Sequence, residues 1–387
     1  MDTQDNTARY PVWKPDSRFP CYRIPAIVKA ASGKLLAFCE ARASTADVHD
    51  CVLVMKTSMD HGKTWSDQAI VWDDRPASIV NPTVMRVELP VGDTPSGRII
   101  LFVQRYPGNI REHGAKPGLE GPACTQNFMM TSDDEGQSWS KPANITKSTK
   151  RVTYYEPKEE EELDVTTNAF GPGVAIQKQY EPHEGRIIVP VNQGPWNMWR
   201  NYMIYSDDGG ASWTMGDLIP EVLDDLDQIM PVGGNEVQVV ERSDGTLLLN
   251  ARHYKGMLTG PSGEGFRVRA VSTDGGESWS PLVEDKGLPE PGCQGSILRG
   301  PDLGGGTPSI LFSNPGSQTA RKFGVVRAST DEGETWPMHV DIEPEFFGYS
   351  CLVLCNDGTI GVLAEHGEKT SIDRIAFYKV KIERLVI

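Results

Sequence analysis

The chain has 387 residues, with 53 acidic against 38 basic side chains and a formal net charge of −15. That balance argues against non-specific nucleic-acid binding, and no basic run marks a membrane surface. No stretch of eighteen apolar residues occurs and the first twenty residues are polar, so the expectation is a soluble protein without a transmembrane segment, either secreted after loss of a leader or cytoplasmic.

The first β-like segments lie at Ala26 to Cys39, where two apolar stretches flank Ser32-Gly33, and at Cys51 to Thr57. The last of these leads into Ser58-Met-Asp60-His-Gly62-Lys-Thr64-Trp65. The same eight-residue pattern returns at Ser132 to Trp139, Ser206 to Trp213, Ser272 to Trp279 and Ser329 to Trp336. The common form S-x-D-x-G-x-[ST]-W, at intervals of roughly sixty to seventy-five residues, marks a repeated supersecondary unit. Each copy reads as a hairpin turn: the Asp accepts backbone amides, the Gly takes a positive φ, and the Trp anchors the turn to its sheet. Identical residues at every repeat favour a structural part over a metal or sugar site.

Further hairpin signals follow at Ser243-Asp244-Gly245 before Thr246 to Ala251, and at Asn356-Asp357-Gly358 within Cys351 to Leu363. Gly304 to Gly306 reads as a loop, and the charged run Glu156 to Glu162 as a solvated insertion. Long helical periodicity is missing, so the fold class is all-β. Four-strand repeats filling this length predict a six-bladed β-propeller with Asp-box turns, and residues 1–387 as a single domain. The run Ile375 to Ile387 is expected to pair with N-terminal strands and close the ring.

The seven cysteines form no CxxC pair and sit mostly in apolar strands, which predicts buried thiols rather than disulfides or a zinc site. The histidines form no metal-binding pair, and no phosphate-cradling glycine loop is present, so neither a metal nor a cofactor is expected.

What remains is a set of arginines, carboxylates and one tyrosine near the strand ends. Singly these are ordinary: an arginine beside a strand is usually solvated or ion-paired. Jointly they carry a resemblance. Tyr22-Arg23-Ile24-Pro25 followed by the Asp-boxes is similar to the exo-α-sialidases, six-bladed propellers of which some fungal members prefer the deaminated sugar Kdn. The resemblance implies three arginines that hold the substrate carboxylate. They are Arg23, Arg252 at the end of Leu247 to Arg252, and Arg321 in Asn314 to Phe323, with Arg327 as the weaker choice for the third. It implies Tyr349, in Tyr349-Ser350-Cys351-Leu352, as nucleophile, with Glu236 as the partner that takes its proton. It implies Asp47 as acid/base, with Asp50 as rival, Arg42 as a further substrate contact, and Glu365 as the carboxylate steadying Arg23.

The chemistry suits these residue types. A carboxylate on the anomeric carbon repels an anionic nucleophile, so a neutral tyrosine is the better attacker, and a sialidase tyrosine is a recognised exception to the two-carboxylate rule. Guanidiniums supply planar, charge-assisted bonds to the substrate's carboxylate. Asp47 in this role needs a pKa raised by burial under the bound sugar. Pro190 to Tyr202, with Trp196, Trp199, Arg200, Asn201 and Tyr202, reads either as a sugar face or as a blade cap, and Phe170-Gly-Pro-Gly173 resembles the family's inner-rim turn. The expected partners are sialylated glycans. A non-catalytic Asp-box propeller that binds a glycan or protein, and a trans- or anhydro-sialidase, stay open as alternatives, as does the choice between N-acetylneuraminic acid and Kdn.

Overall fold

The computed structural model describes residues 7–48, 50–108, 110–153, 164–194, 198–221, 233–253, 265–304 and 306–385. The run 156–162 and Trp196 lie outside them.

Six antiparallel blades follow one another along the chain. Blade 1 is Cys21–Lys29, Leu35–Arg42, Val52–Ser58 and Ala69–Trp72; blade 2 is Ser78–Arg86, Ile99–Tyr106, Gln126–Ser132 and Ala143–Asn144. In blade 3 the pieces Thr167–Phe170 and Ile176–Gln177 both pair with Ile187–Gly194, followed by Arg200–Ser206 and Thr214–Met215. Blade 4 is Val237–Glu241, Leu247–Ala251, Phe266–Ser272 and Val283–Pro289. Blade 5 runs from Ser296–Asp302 through Pro308–Pro315 and Lys322–Ser329 into Met338–Leu354, whose second half opens blade 6. Blade 6 continues with Ile360–Gly367 and Arg374–Val380, and its outer strand is the N-terminal Thr7–Trp13, paired from Thr7 opposite Val380 to Pro11 opposite Ala376 and, after a register shift, with Trp13 opposite Ile375. The ring closes through this pairing, which uses the expected C-terminal run as far as Val380; Ile382–Arg384 form a 3₁₀ turn, and residues 386–387 lie outside the described residues.

There is no single core. Six apolar clusters each fill the wedge between two neighbouring blades, for example Phe38, Leu53, Ile79 and Leu101 between blades 1 and 2, and Leu311, Val326, Leu352 and Val362 between blades 5 and 6. A strand packed on both faces has no polar side to show, so Leu35–Arg42 is buried throughout instead of alternating. All seven cysteines are buried and unbridged.

Each Asp-box joins the third and fourth strands of its blade. In the first, Ser58 Oγ donates to Asp60 Oδ1 (2.8 Å), and Asp60 also accepts the Thr64 amide (2.9 Å) and hydroxyl (2.6 Å). The tryptophan reaches further than its own sheet. Trp65 packs on Phe377 of blade 6, Trp139 on Phe38 of blade 1 and Trp213 on Phe102 of blade 2, so each stitches its blade to the preceding one. Gly62 explains the close approach: its φ is +84°, and a Cβ there would lie 2.1 Å from the Phe377 ring.

Candidate active site

The site grows from irregularities at the same place in three blades. The ladder slips between Arg23 and Ala26 in blade 1, between Val80 and Thr83 in blade 2, and between Phe347 and Ser350 in blade 6. Such bulges bend a strand and re-aim its side chains. In the first two, a proline without an N–H follows a residue at positive φ: Ile24 (58°) before Pro25, and Asn81 (54°) before Pro82. The amides of Ile24 and Asn81 are each accepted by a buried glutamate, Glu365 Oε1 at 2.9 Å and Glu40 Oε1 at 2.7 Å. Each glutamate also holds an arginine: Arg23 donates to both oxygens of Glu365 (2.9 and 3.2 Å), and Arg42 Nε donates to Glu40 at 2.7 Å.

These elements wall a cavity of about 400 Å³, bordered by Arg23, Arg42, Asp47, Glu236, Arg252, Arg321 and Tyr349. Tyr349 Oη donates to Glu236 Oε1, and Arg252 Nη1 donates to Glu236 Oε2 (2.8 Å) and to Tyr349 Oη (3.1 Å). Arg23 and Arg321 lie over the Tyr349 ring, with guanidinium carbons 5.0 and 5.4 Å from its centroid. Arg321 Nη2 donates to Gly292 O at 3.0 Å, and among the described residues Arg321 has no carboxylate partner. Burial, then Glu236, push the Tyr349 phenol upward against the pull of Arg252, Arg321 and Arg23, so the resting tyrosine is neutral. Burial disfavours the Arg23 charge, but Glu365, with Asp47, more than restores it.

Asp47 stands on the loop after Arg42 with 67% of its side chain exposed, and accepts from Arg42 Nη1 (2.7 Å) and Arg23 Nη1 (3.4 Å). Desolvation raises its pKa, but Arg42 and Arg23 outweigh this and hold it below the usual carboxylate range. The raised value expected for an acid/base is therefore not a property of the free site, because the two arginines that should face the substrate pair with Asp47 first.

The structure thus brings together Arg23, Arg42, Asp47, Glu236, Arg252, Arg321, Tyr349 and Glu365. It places Arg327 elsewhere, bonded to Asn314 Oδ1, and Asp50 is not among the residues that wall the cavity. Of the aromatic segment before the third box, Trp199 reaches the cavity, while Asn201 braces Asn235 O and Tyr202 donates to Thr149 O in the interior. Pro172, in the Gly-Pro-Gly turn, borders the cavity, and its carbonyl accepts from Gln238 and Gln294.

Among the lining residues that were not anticipated are Glu40, Glu112 and Gln104. Glu40 is the fully buried partner of Arg42. Glu112, on the short 3₁₀ turn Glu112–Gly114, has its carboxyl pushed up to about 7 by burial and by Asp47 and Glu236. Gln104, fully buried, also borders the cavity. For Glu40 a signal existed, two residues before Arg42 on one strand face; Glu112 lies between strands with no motif around it.

Fold and site define a six-bladed Asp-box propeller with an arginine cluster facing a tyrosine bonded to a glutamate. A family model described as a BNR repeat-like domain matches residues 33–362. A sialidase of Micromonospora viridifaciens is 32% identical over 369 residues, covering 90% of this chain and 50% of that protein. A sialidase of Bacteroides fragilis is 27% identical over 396 residues, covering 96% of this chain and 64% of that protein. The solved structure of the Hadza microbial sialidase Hz136 superposes with a TM-score of 0.76 at 26% identity, covering 95% of this chain and 67% of that one. The chain belongs to the BNR repeat-like family, among the sialidases. It spans between half and two thirds of the length of those two curated relatives.

Proposed function

We propose that the protein is an exo-α-sialidase that hydrolyses terminal α-linked sialic acids from glycans, with residues 1–387 acting as one catalytic domain. The observation that carries this is the bond from neutral Tyr349 to Glu236 beneath three arginines, Arg23, Arg252 and Arg321, where a sugar carboxylate can be held. With the carboxylate on those guanidiniums, the anomeric carbon lies over Tyr349 Oη, which attacks it as Glu236 takes the phenolic proton. Asp47 gives a proton to the departing glycosidic oxygen and then takes one from the water that cleaves the tyrosyl–sugar bond. Two displacements at one carbon give retention.

The substrate also supplies what Asp47 lacks at rest. Its carboxylate takes up the charge of Arg23, and the ring covers Asp47; both changes raise the acid's pKa. Glu365 and Glu40 fix Arg23 and Arg42 before substrate arrives, so little ordering remains to be done on binding. The decisive test is hydrolysis of fluorogenic α-ketosides of sialic acid by the wild type and by Tyr349→Phe. Turnover that falls at least about 10³-fold in the variant supports the reading. Equal turnover by both, or none by the wild type, refutes it and favours a binding propeller.

A further inference from the structure

The connection between the second and third strands of blade 2 brings one more carboxyl to the cavity, and none of the steps above employs it. Glu112, on the turn Glu112–Gly114, is half-buried and borders the same cavity as Asp47, Glu236 and the arginines. No hydrogen bond or ion pair among the described residues holds its carboxyl. Asp47, Glu236 and Arg252 act on it through space, Tyr106 of its own blade feels its charge, and its turn neighbours Arg111 and His113 are exposed.

The other charges of the site are already matched. Arg23 is held by Glu365, Arg42 by Glu40 and Arg252 by Glu236, Asp47 bonds to both Arg23 and Arg42, and Arg321 has no carboxylate partner among the described residues. Four guanidiniums thus meet four carboxylates, and Glu112 decides whether the site is balanced or net negative. A sugar acid has to enter as an anion, because its carboxylate is ionised at any pH near neutral. Desolvation beside the cavity, with Asp47 and Glu236 and against Arg252, raises the Glu112 carboxyl from 4.5 to about 7. The neutral acid therefore predominates at about pH 6 and the carboxylate at about pH 8.

Resting on the sialidase reading, we propose that Glu112 is a proton-operated gate for the anionic substrate: protonated, it leaves the arginines free to draw a sugar carboxylate into the cavity, and ionised, it repels that carboxylate. The gate acts on binding, because the bond-breaking steps belong to Tyr349, Glu236 and Asp47. Across a cavity of this size, on the order of 10 Å, one like charge at a dielectric between those of protein and water weakens anion binding about 5- to 10-fold. Linkage makes the effect reciprocal: an anion bound at the arginines keeps Glu112 protonated to higher pH.

The experiment is the calorimetric Kd of the unsaturated glycal of sialic acid, which binds without a glycosidic bond to break, for wild type and Glu112→Gln in low-salt buffer between about pH 6 and about pH 8.5. In the wild type, binding should weaken about 5- to 10-fold as the pH rises. In the variant the change should shrink below about 2-fold, so that it binds like the wild type at low pH and more tightly at high pH. With a fluorogenic α-ketoside, the difference between the two proteins should lie in KM and not in kcat. A residue that only supported the fold would weaken binding at every pH instead. Parallel profiles in the two proteins, or a wild-type Kd that does not change with pH, overturn the gate and leave the sialidase reading standing. A wild type that cleaves no ketoside and binds no glycal overturns both. The wild-type profile needs no variant, so a Glu112→Gln protein that does not fold leaves the proposal open to refutation.

Discussion

Replacing Glu112 by Gln should make the protein's stability less sensitive to pH between 5 and 8. Glu112 is half-buried beside the cavity, and desolvation there, with the nearby charges of Asp47 and Glu236, raises its carboxyl from 4.5 to about 7. A carboxyl whose pKa is higher in the folded state holds its proton more tightly there. Its contribution is therefore fully present below the unfolded value of 4.5 and is lost as pH rises to about 7. At about 1.4 kcal/mol per pH unit across that span, the native protein forfeits about 2–3 kcal/mol between pH 5 and pH 8 through this one group. The amide of the Glu112→Gln protein does not titrate, so the difference in urea-unfolding free energy, variant minus wild type, should shift in the variant's favour by about that much over the interval. Parallel pH–stability curves for the two proteins would refute the reasoning and place an ordinary carboxylate at Glu112.

Two further outcomes follow from the site and the ring. Asp47→Ala should cost about 10²–10⁴-fold on sialyl-oligosaccharides, the scale of general acid catalysis, and clearly less on aryl ketosides, whose leaving groups depart without a proton. Equal losses on both substrate types would exclude Asp47 as the acid. Trp213→Ala should destabilise the protein by about 3–5 kcal/mol, read from chemical denaturation, because the ring is wedged against Phe102 of the preceding blade as well as its own sheet. A loss under about 1 kcal/mol would mean that the box tryptophan is only a local turn anchor.

The ring was legible because its signals are local. A box is eight consecutive residues whose hydrogen bonds close within themselves, as Asp60 with Ser58 and Thr64 shows, so the pattern survives in the sequence whatever surrounds it. Arg23, Tyr349 and Glu236 were found by resemblance to motifs, not by spacing: they lie on blades 1, 6 and 4 and meet only when the ring closes. What stayed hidden depends on the neighbour across a wedge. Trp65 gives no hint that its partner is Phe377, more than three hundred residues away. Likewise nothing around Glu112 says that Asp47 and Glu236 will raise its pKa. One signal was present and went unread: Ile24-Pro25 and Asn81-Pro82 recur at one place in successive blades, and each marks a bulge whose amide binds a glutamate.

Those two glutamates connect the stability of the ring to the readiness of the site. Glu365 belongs to blade 6, yet it accepts from Arg23 and the Ile24 amide of blade 1 as well as from the Tyr349 amide of its own blade. It therefore spans the seam where the ring closes and at the same time orients an arginine and the tyrosine backbone. Glu40 repeats the device one wedge on, with Arg42 in its own blade and the Asn81 amide of blade 2. Charges buried in this way are costly unless every partner is in place. Partial opening of either wedge would strand a glutamate and release an arginine together. Within this fold the cavity's arginines are as well positioned as the blades are tightly docked, and a substitution that loosens the seam, far from the cavity, should weaken carboxylate binding before it unfolds the protein.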